Sequence, residues 1–341
     1  MMTYQRLQGI LAKLPEISVL VVGDFFLDRY LIIDPARDEL SLETGLVAYQ
    51  VIEERAQAGA AGTVTNNLRA LGVGHVVALG IVGDDGEGYE LRRALQQTGV
   101  VTDHLVAAGD RTTPTYTKPM VREPEGEREI NRLDIKNWSP TPPALQERMI
   151  WSLLKLVPQV DAVIVLDQVT EPECGVITQR VRESLQQLGR THPALPIVAD
   201  SRSRIGEFED VIIKCNQYES VCAVFPAEPA EASEDTVRRS ALALAERTRR
   251  PVFVTLGPHG QLVVEGAMVQ EVPAIHVEGP IDVVGAGDAT TAGMVCALAC
   301  GASRTEAAFL GNLIASITIR KLGTTGTAIP DEVLAHYRRR G

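Results

Sequence analysis

The sequence predicts an α/β fold with a mostly parallel central sheet, helices on both of its faces, and a small β-lid. Three observations support this fold class. Short aliphatic runs such as 17–23 and 162–166 have the composition of strands that are buried on both faces. These runs alternate with stretches of helical length, as they do in doubly wound sheets. Aromatic residues make up only 4% of the chain, so Val, Leu, Ile and Ala are expected to fill the core.

The individual elements follow from these runs and from the residues that end them. Strands are predicted at 17–23, 75–81, 162–166, 196–199, 211–213, 252–256 and 261–264. Helices are predicted at 62–71, 88–97, 172–188, 236–247, 286–300 and 304–320. Glycine ends the first strand at Gly23 and the first of these helices at Gly72, because its backbone adopts conformations that terminate regular elements. All 341 residues are assigned to one domain.

Two segments interrupt the alternation, at about 29–53 and 112–133. Each shows alternating side chains and no helix between its predicted strands. Because ligands of open α/β sheets bind at the carboxyl ends of the strands, these segments are expected to form a β-lid over that edge. The acidic, proline-containing stretch Pro226–Asp235 is predicted to be a surface loop.

The composition excludes several kinds of partner. The formal charge is −11, from 33 basic and 44 acidic residues, which disfavours nucleic acid. The 5 cysteines show no metal-ligand spacing and are expected to be free thiols in a reducing cytoplasm. The sequence shows neither a signal peptide nor an apolar run of membrane-spanning length, so no membrane partner is expected.

The segment 282–288 carries the most specific chemical signal. Gly285 and Gly287 flank Ala286 and allow a tight turn with little bulk beside the backbone amides. A buried helix is predicted to follow, and its first amides and its dipole favour an anion. Asp288 then places a carboxylate beside the anion site, which suits phosphoryl transfer to a hydroxyl. The pattern alone leaves a second interpretation open, in which Asp288 only complements the helix dipole.

This segment resembles the signature loop of the ribokinase-like sugar kinases, also called the PfkB family. The resemblance implies that the amides of Gly285–Gly287 form the anion hole and that Asp288 is the base that activates the acceptor hydroxyl. It also implies ATP as the phosphate donor, supported by Mg²⁺ and a monovalent cation. Members of the family usually carry a threonine just before the loop, where this chain has Val283 and Val284.

The segment 59–72 is similar to a second family motif, in which a glycine pair leads into a helix that lines the substrate site. Gly59 matches the first glycine, whereas Ala60 occupies the position of the second. Thr63 stands where an asparagine often contacts the sugar. The resemblance assigns these three positions to substrate binding, and the two departures leave the acceptor open.

Further similarities to the family lie on the nucleotide side. Asn216 and Glu219 resemble its Asn-x-x-Glu motif, which orders Mg²⁺ and its waters, although a helix N-cap explains this pair equally well. The segment 254–260 resembles the family's strand and turn that contact the nucleotide, although a plain hairpin explains its glycines equally well. The positions that the resemblance places near the nucleotide are Asp200, Arg202, Asn216, Thr255, Gly257, Gly260 and Asn312.

Within the family, the similarity is greatest to the heptose-7-phosphate kinase group. Asp24 and Asp28 follow the first strand as they do in that group, where aspartates hydrogen-bond sugar hydroxyls. Arg111, Lys118 and Arg132 are then expected to form a basic pocket for a distal phosphate. Solubility of an exposed lid explains these basic residues equally well.

Two stretches depart from that group. Residues 167–171 lack its usual aromatic, lysine and glycine, and residues 38–47 lack its proline-containing lid sequence. No nucleotidyltransferase segment follows Gly341, so kinase activity alone is expected. The resemblance also implies a homodimer formed through the β-lid.

Two other classes of function compete with a kinase. A nicotinamide oxidoreductase would also use a glycine loop, but 285–290 does not continue as Gly-x-Gly-x-x-Gly. A binding or regulatory protein could keep the kinase fold without turnover, since a fold alone does not fix activity. A kinase for another sugar or for a nucleoside is the alternative within the family.

Overall fold

A nine-stranded sheet forms the centre of the protein in the computed structural model, which describes residues 2–227, 233–323 and 325–339. The strands of the described chain are β1 (Ser18–Gly23), β2 (Phe25–Ile33), β3 (Glu39–Leu40), β4 (Val47–Ala48), β5 (Val51–Ala60), β6 (His75–Gly83), β7 (Val101–Ala108), β8 (Thr115–Glu123), β9 (Gly126–Glu129), β10 (Leu133–Ile135), β11 (Ala162–Asp167), β12 (Ile197–Ser201), β13 (Ile212–Asn216), β14 (Val252–Thr255), β15 (Gln261–Glu265) and β16 (Met268–Val272). The central sheet has the order β16-β15-β14-β13-β12-β11-β1-β6-β7. The strands from β14 to β7 in this order are parallel, and the hairpin β15–β16 continues the sheet with antiparallel pairing.

Helices cover both faces of this sheet. They are α1 (Tyr4–Lys13), α2 (Ala61–Ala70), α3 (Gly86–Gln97), α4 (Pro143–Leu156), α5 (Gln179–Thr191), α6 (Gln217–Val224), α7 (Glu234–Thr248), α8 (Ala286–Ala299), α9 (Arg304–Thr318) and α10 (Pro330–Arg339). Alternate residues of β1 enter different cores: Val19 and Val21 pack with α2, α8 and α9, whereas Leu20 and Val22 pack with α4, α5 and α7. Burial of β1 on both faces explains its aliphatic sequence. The predicted fold class is therefore confirmed.

A five-stranded lid sheet continues directly from the central sheet, because β2 begins two residues after β1 ends. Its order is β10-β8-β2-β5, and β9 pairs with β8. Strand β2 pairs antiparallel with β5 and parallel with β8, in register over most of its length. The lid therefore contains strands from both segments that interrupt the helix–strand alternation.

One predicted helix begins later than the sequence indicated. The helix expected over 172–188 is α5, which starts at Gln179 with Thr178 as its N-cap. The preceding residues form a turn in which Glu173 has φ of +60°. Three backbone amides of the segment 168–176 donate to the Asp24 carboxylate, and this tertiary anchor replaces the helical hydrogen bonds.

Several elements were not predicted, among them α1, α4, α6 and α10 and the edge strands β7 and β16. The predicted acidic loop Pro226–Asp235 lies partly outside the described residues, which omit 228–232; its last part begins α7, with Ser233 as the N-cap. Across the part of the chain that the structure describes, no helix is both long enough and apolar enough to span a membrane.

Candidate active site

The loop before α8 exposes backbone amides at the start of a helix. Gly285, the N-cap of α8, has φ of +79°, and a Cβ at this position would collide with Thr325 Cγ2. Only glycine fits such a position. Within the described residues, the amides of Gly287 and Asp288 have no hydrogen-bond acceptor. Free amides at a helix N-terminus favour a bound anion.

These amides open into a cleft of about 530 Å³ at the carboxyl ends of β12, β13 and β14. Its lining includes Gln168, Asp200, Arg202, Lys214, Asn216, Glu219, Thr255, Gly257, Gly285, Gly287 and Asp288. The structure thus brings together residues from five segments that are far apart in the sequence. This is the edge of an open α/β sheet at which ligands bind.

The pKa of Asp288 is raised towards neutrality. Burial, and then the nearby Asp200 carboxylate, raise the pKa of Asp288 to about 7, and the charges of Lys214 and Arg202 oppose this rise only in part. In the described part of the chain no group hydrogen-bonds to the Asp288 carboxylate. A carboxylate with a pKa near neutrality and free oxygens can accept a proton from a bound hydroxyl.

A buried ion pair fixes a positive charge beside the anion site. Lys214 Nζ lies 2.7 Å from Asp200 Oδ2, and both side chains are buried. Burial by itself lowers the pKa of Lys214, but Asp200 reverses this effect and raises it, so the ammonium stays charged. A Cβ on Gly287 would lie 3.2 Å from Lys214 Nζ, which places the ammonium next to the free amides.

Lys214 was not among the residues that the sequence assigned to the site. The signal was available, since a lysine interrupts the buried strand β13 two residues before Asn216. A buried lysine is rare unless it is paired. In the structure Lys214 is paired with Asp200, a residue that the sequence analysis had placed near the nucleotide.

Asn216 and Glu219 form a complete capping box at the start of α6. The Asn216 side chain accepts from the Glu219 amide at 2.8 Å, and Glu219 Oε2 accepts from the Asn216 amide at 2.8 Å. The N-cap interpretation of this pair is therefore correct. Both residues also line the cleft, and burial followed by Asp200 raises the pKa of Glu219.

The nucleotide-side assignments divide into two groups. Thr255 and Gly257 line the cleft. Gly260 is buried outside it, where φ is +96° and a Cβ would collide with Val272 O, so this glycine is required by packing. Asn312 joins α9 to the hairpin β15–β16: it accepts from Gln261 at 2.7 Å and donates to the Val272 carbonyl at 3.2 Å. We correct the assignments of Gly260 and Asn312 accordingly.

Asp28 and Gly59 meet where the lid joins the central sheet. A Cβ on Gly59 would collide with the Asp28 carboxylate, so glycine is needed for this close approach. Burial raises the pKa of Asp28, and Lys118, at 3.4 Å, opposes the rise. Asp28 also contributes to the raised pKa of Asp288, which places the two carboxylates near each other.

Ala60 and Thr63 occupy the turn that leads from β5 into α2. Ala60 has φ of +51° and ψ of −117°, a conformation that glycine adopts far more easily than alanine. Thr63 is buried, and its Cγ2 would lie 3.8 Å from a Cβ on Gly285. The two family motifs of the sequence therefore contact each other in space.

The carboxylate of Asp24 accepts hydrogen bonds from three backbone amides. Its Oδ2 accepts from the amides of Gln168 and Val169 at 2.8 and 3.0 Å, and its Oδ1 accepts from the Val176 amide at 2.7 Å. Burial, and then the charge of Asp167, raise the pKa of Asp24 to about 6. We correct its assignment: Asp24 holds the turn after β11 in place.

Arg111 is likewise committed to the protein backbone. Its buried guanidinium donates to the carbonyls of Ser139 at 2.7 Å and Cys174 at 2.5 Å, and it also contacts Thr141 Oγ1. These contacts connect the end of the lid to the turn after β11. The binding of a distal phosphate by Arg111 stays a prediction, and it would have to compete with these contacts, because Nη1 and Nη2 already donate to protein oxygens.

A second pocket, of about 160 Å³, adjoins the cleft beneath the lid. Gln168 and Arg202 line both spaces. Phe26 and Tyr116 form an aromatic wall, with ring centroids 5.1 Å apart in an edge-to-face arrangement. We call this space the acceptor pocket, because it opens beside the cleft that contains Asp288.

Three cationic side chains surround Tyr116 in the acceptor pocket. The Arg132 guanidinium stacks 4.3 Å from the Tyr116 ring centroid and pairs with Asp134 at 2.7 Å. Lys136 lies 3.0 Å from Glu171. Burial raises the pKa of Tyr116, and the charges of Lys136, Arg202 and Arg132 all oppose that rise. Of the predicted basic residues, Arg132 lines this pocket, whereas Lys118 contacts Asp28 and the Tyr30 hydroxyl.

A model of the pfkB family of carbohydrate kinases matches residues 18–332. The chain belongs to this family. It is therefore an enzyme of the carbohydrate kinase class, as the sequence predicted, and the oxidoreductase alternative is wrong. The predicted similarity to ribokinase-like kinases is confirmed by the solved structures that share the fold.

Two curated relatives carry the name Bifunctional protein HldE. The protein from Caulobacter vibrioides is 30% identical over 321 residues, covering 92% of this chain and 63% of its own length. That from Citrifermentans bemidjiense is 29% identical over 341 residues, covering 98% of this chain and 66% of its own length. The chain thus spans less than two thirds of the length of each of these relatives.

Two solved structures show the same fold at low identity. Arabidopsis thaliana ribokinase complexed with ribose and ATP superposes with a TM-score of 0.68 at 18% identity, covering 94% of this chain and 98% of that one. Phosphofructokinase-2 from Escherichia coli in complex with potassium gives 0.69 at 19% identity, covering 95% and 99%. These similarities support the ribokinase-like fold of the PfkB chain described here.

Proposed function

We propose that this PfkB kinase transfers the γ-phosphate of ATP to a hydroxyl of a sugar or sugar phosphate. One observation carries the proposal: Asp288, with a pKa of about 7, lies beside the free amides of Gly287 and Asp288 and the ammonium of Lys214. The carboxylate takes the hydroxyl proton as the oxygen attacks phosphorus. The amides and the ammonium stabilise the charge that spreads over the transferring phosphoryl group.

The cleft supports ATP as the donor. Its volume of about 530 Å³ lies in the range of small-molecule sites. The N-terminus of α8 and Lys214 favour the phosphates, while Thr255 and Gly257 line the same cleft further along the sheet. A solved structure of the same fold, the Arabidopsis ribokinase, is described with ribose and ATP.

The donor atoms of the cleft fit Mg²⁺. Glu219 uses Oε2 for the capping box, and its Oε1 has no hydrogen-bond donor among the described residues. A single carboxylate oxygen suits Mg²⁺, which keeps most of its waters and binds phosphate oxygens. We assign Glu219, supported by Asn216, to this ion, which would neutralise charge on the nucleotide phosphates. A monovalent cation is included in the proposal because one similar structure is described with potassium.

The acceptor pocket favours a sugar that carries its own anionic group, such as a heptose 7-phosphate. Three cationic side chains line it: Arg132 pairs with Asp134, Lys136 pairs with the lining Glu171, and Arg202 supplies the third positive charge. The backbone amide of Arg202 donates to the Asp167 carbonyl at 3.0 Å. Its guanidinium has no hydrogen-bond or ion-pair partner in the described part of the chain, so those donors are available to a ligand. The relatives named HldE support the same group of acceptors.

A different sugar remains the second candidate because of Glu171. Its carboxylate lies 3.0 Å from Lys136 and neutralises part of the positive charge in the pocket. A pocket with this pair intact can also bind the hydroxyls of an uncharged sugar or a nucleoside. The proposal therefore predicts a preference among acceptors that an assay can measure.

The test is ADP release across a panel of sugars, sugar phosphates and nucleosides, with and without Mg²⁺. We expect Mg²⁺-dependent turnover that is greatest with a phosphorylated sugar. If no acceptor in the panel led to ADP release by the enzyme, the kinase proposal would be refuted. Turnover that is greatest with an unphosphorylated sugar would retain the reaction and reject the heptose-phosphate-like acceptor.

The lid supports a homodimer. Among the described residues its edge strand β5 pairs only with β2, and large apolar side chains are exposed at the first residue of β5 and before it, namely Leu40, Leu42, Leu46, Val47, Tyr49 and Val51. An exposed edge strand with apolar neighbours favours pairing with another chain. We propose that a second copy covers this surface in the cytoplasm, and that Leu42→Glu shifts the mass measured by light scattering from dimer to monomer. A monomeric mass for the unmodified chain would contradict the dimer.

A further inference from the structure

A second concave surface lies between α9 and α10 and shares no lining residue with the cleft or the acceptor pocket. It encloses about 260 Å³, enough for a small metabolite. Its lining residues are Ile317, Arg320, Lys321, Glu332, Ala335, His336 and Arg339. We call it the C-terminal cavity. Most of its lining side chains are basic, although the chain as a whole has a formal charge of −11.

One of these basic residues is already neutralised. Lys321 Nζ lies 2.9 and 3.0 Å from the two oxygens of Glu332 and donates to the Thr327 carbonyl at 2.6 Å. Glu332 also accepts from the Ile329 amide at 3.0 Å. Both carboxylate oxygens and the ammonium are therefore engaged, and Glu332 has no free oxygen for a second cation.

Two arginines of the cavity remain without a counter-charge. Neither Arg320 nor Arg339 has a side-chain hydrogen bond or an ion pair within residues 2–227, 233–323 and 325–339. The negative end of the α9 dipole favours a cation near Arg320. The negative end of the α10 dipole likewise favours Arg339 in the last turn of that helix. Neither dipole requires the two guanidinium groups to line one cavity, where like charges repel each other.

The pKa of His336 is affected by these two positive charges. Burial, and then the charges of Arg320 and Arg339, lower the pKa of His336. Its Nε2 lies 3.1 Å from Ser316 Oγ, and Ser316 donates its own proton to the Leu313 carbonyl at 2.8 Å. With its proton directed to the Leu313 carbonyl, the Ser316 hydroxyl can accept a hydrogen bond from the Nε2–H tautomer of His336. The imidazole gains a second proton more easily once an anion enters the cavity.

We propose that the C-terminal cavity binds a small phosphate-bearing metabolite through the guanidinium groups of Arg320 and Arg339. Guanidinium groups match phosphate oxygens with paired hydrogen bonds, and two of them line this cavity, whose lining carboxylate, Glu332, is already paired with Lys321. The volume of about 260 Å³ leaves room for the body of a small phosphate ester beside its phosphate. This inference is independent of the proposed kinase reaction, because no lining residue takes part in it.

The test follows His336 by NMR in the full-length protein, with inorganic phosphate as the probe. His336→Gln assigns its imidazole signal among the 6 histidines. We expect phosphate to raise the pKa of His336 by about 0.5 to 1, because a nearby anion favours the charged imidazole. Chloride at equal ionic strength serves as the comparison and should leave the pKa unchanged.

Two variants decide where the phosphate acts. In Arg320→Gln/Arg339→Gln the response of His336 to phosphate should disappear. The matched control is Arg338→Gln, on the same helix: this guanidinium lies over the Tyr4 ring, 4.7 Å from its centroid, and the response should persist. A His336 pKa that does not change with phosphate, or a response that survives in the double variant, would overturn the proposal.

Discussion

The raised pKa of Asp288 makes the substitution Asp288→Asn informative about both catalysis and stability. Its pKa in the folded protein is about 7, against an ordinary value of 3.8. Between these two pH values the folded state keeps a proton that the unfolded state has released, so the free energy of unfolding falls as the pH rises. Each pH unit of this window is worth about 1.4 kcal/mol, which gives an upper limit of about 4 kcal/mol above pH 7.

Asparagine removes this pH-dependent cost because its side chain does not ionise. Allowing for screening at a partly accessible side chain, we expect Asp288→Asn to be more stable than the unmodified protein by roughly 2 to 4 kcal/mol above pH 7. The two proteins should have similar stability near pH 4. Turnover should fall by about 10² to 10⁴-fold if Asp288 is the base, while ATP binding is kept.

Thermal unfolding at several pH values and steady-state ADP release measure these two effects. The control is Asp110→Asn, at an exposed turn outside both pockets, which should change neither. For the unmodified protein, kcat should rise as the pH increases through about 7, because the deprotonated carboxylate is the active form. Turnover within about tenfold of the unmodified enzyme would refute the role as base, and an equal gain in stability at low and high pH would refute the electrostatic argument.

Three further predictions test the surroundings of the site. Ala60→Gly should raise the free energy of unfolding by about 1 kcal/mol, because glycine adopts φ of +51° and ψ of −117° without strain; chemical denaturation measures the change, and a loss of stability would contradict the strain. Lys214→Met should lower stability by about 3 to 5 kcal/mol, since the buried Asp200 carboxylate loses its counter-charge; Asp200→Asn in the same chain should restore stability but not turnover, and a single variant as stable as the parent would contradict the pair. Arg111→Met should lower stability by about 2 kcal/mol or more through unpaired carbonyls, with KM for a phosphorylated acceptor unchanged; a raised KM at constant stability would instead show that Arg111 binds the phosphate.

Local motifs of the sequence were sufficient to predict the loop and the carboxylate in the first turn of α8. The glycines of 285–287 and the position of Asp288 form one continuous segment, so their spacing already defines a helix N-terminus with a carboxylate in its first turn. Asp28 and Gly59 were assigned to substrate binding for the same reason, since each belongs to a short motif. The alternation of strands and helices fixed the fold class, because a parallel sheet requires crossover helices.

Other assignments depend on hydrogen bonds that the sequence does not display. Asp24 and Arg111 are polar residues at a strand end and in a lid loop, where contact with a ligand is a reasonable expectation. In the fold their atoms are satisfied by backbone groups, and Asp24 bonds to amides that are 144 to 152 residues away. Lys136 was not assigned to the site from the sequence, because it follows β10, a three-residue exposed strand that belongs to no motif.

The ion pair of Lys214 and Asp200 is compatible with the proposed role of Asp288 as the base. A lysine bonded directly to Asp288 would occupy its oxygens and favour its charged form, which would lower its pKa and weaken it as a base. Asp200 prevents this by holding Lys214 at 2.7 Å, so the ammonium faces the anion site while its strongest partner is another carboxylate. Burial, and then the negative charge of Asp200, raise the pKa of Asp288 to about 7, and Lys214 opposes this rise only in part. In Asp200→Asn, Lys214 would therefore be released towards Asp288, and the pH at which kcat rises should move downward.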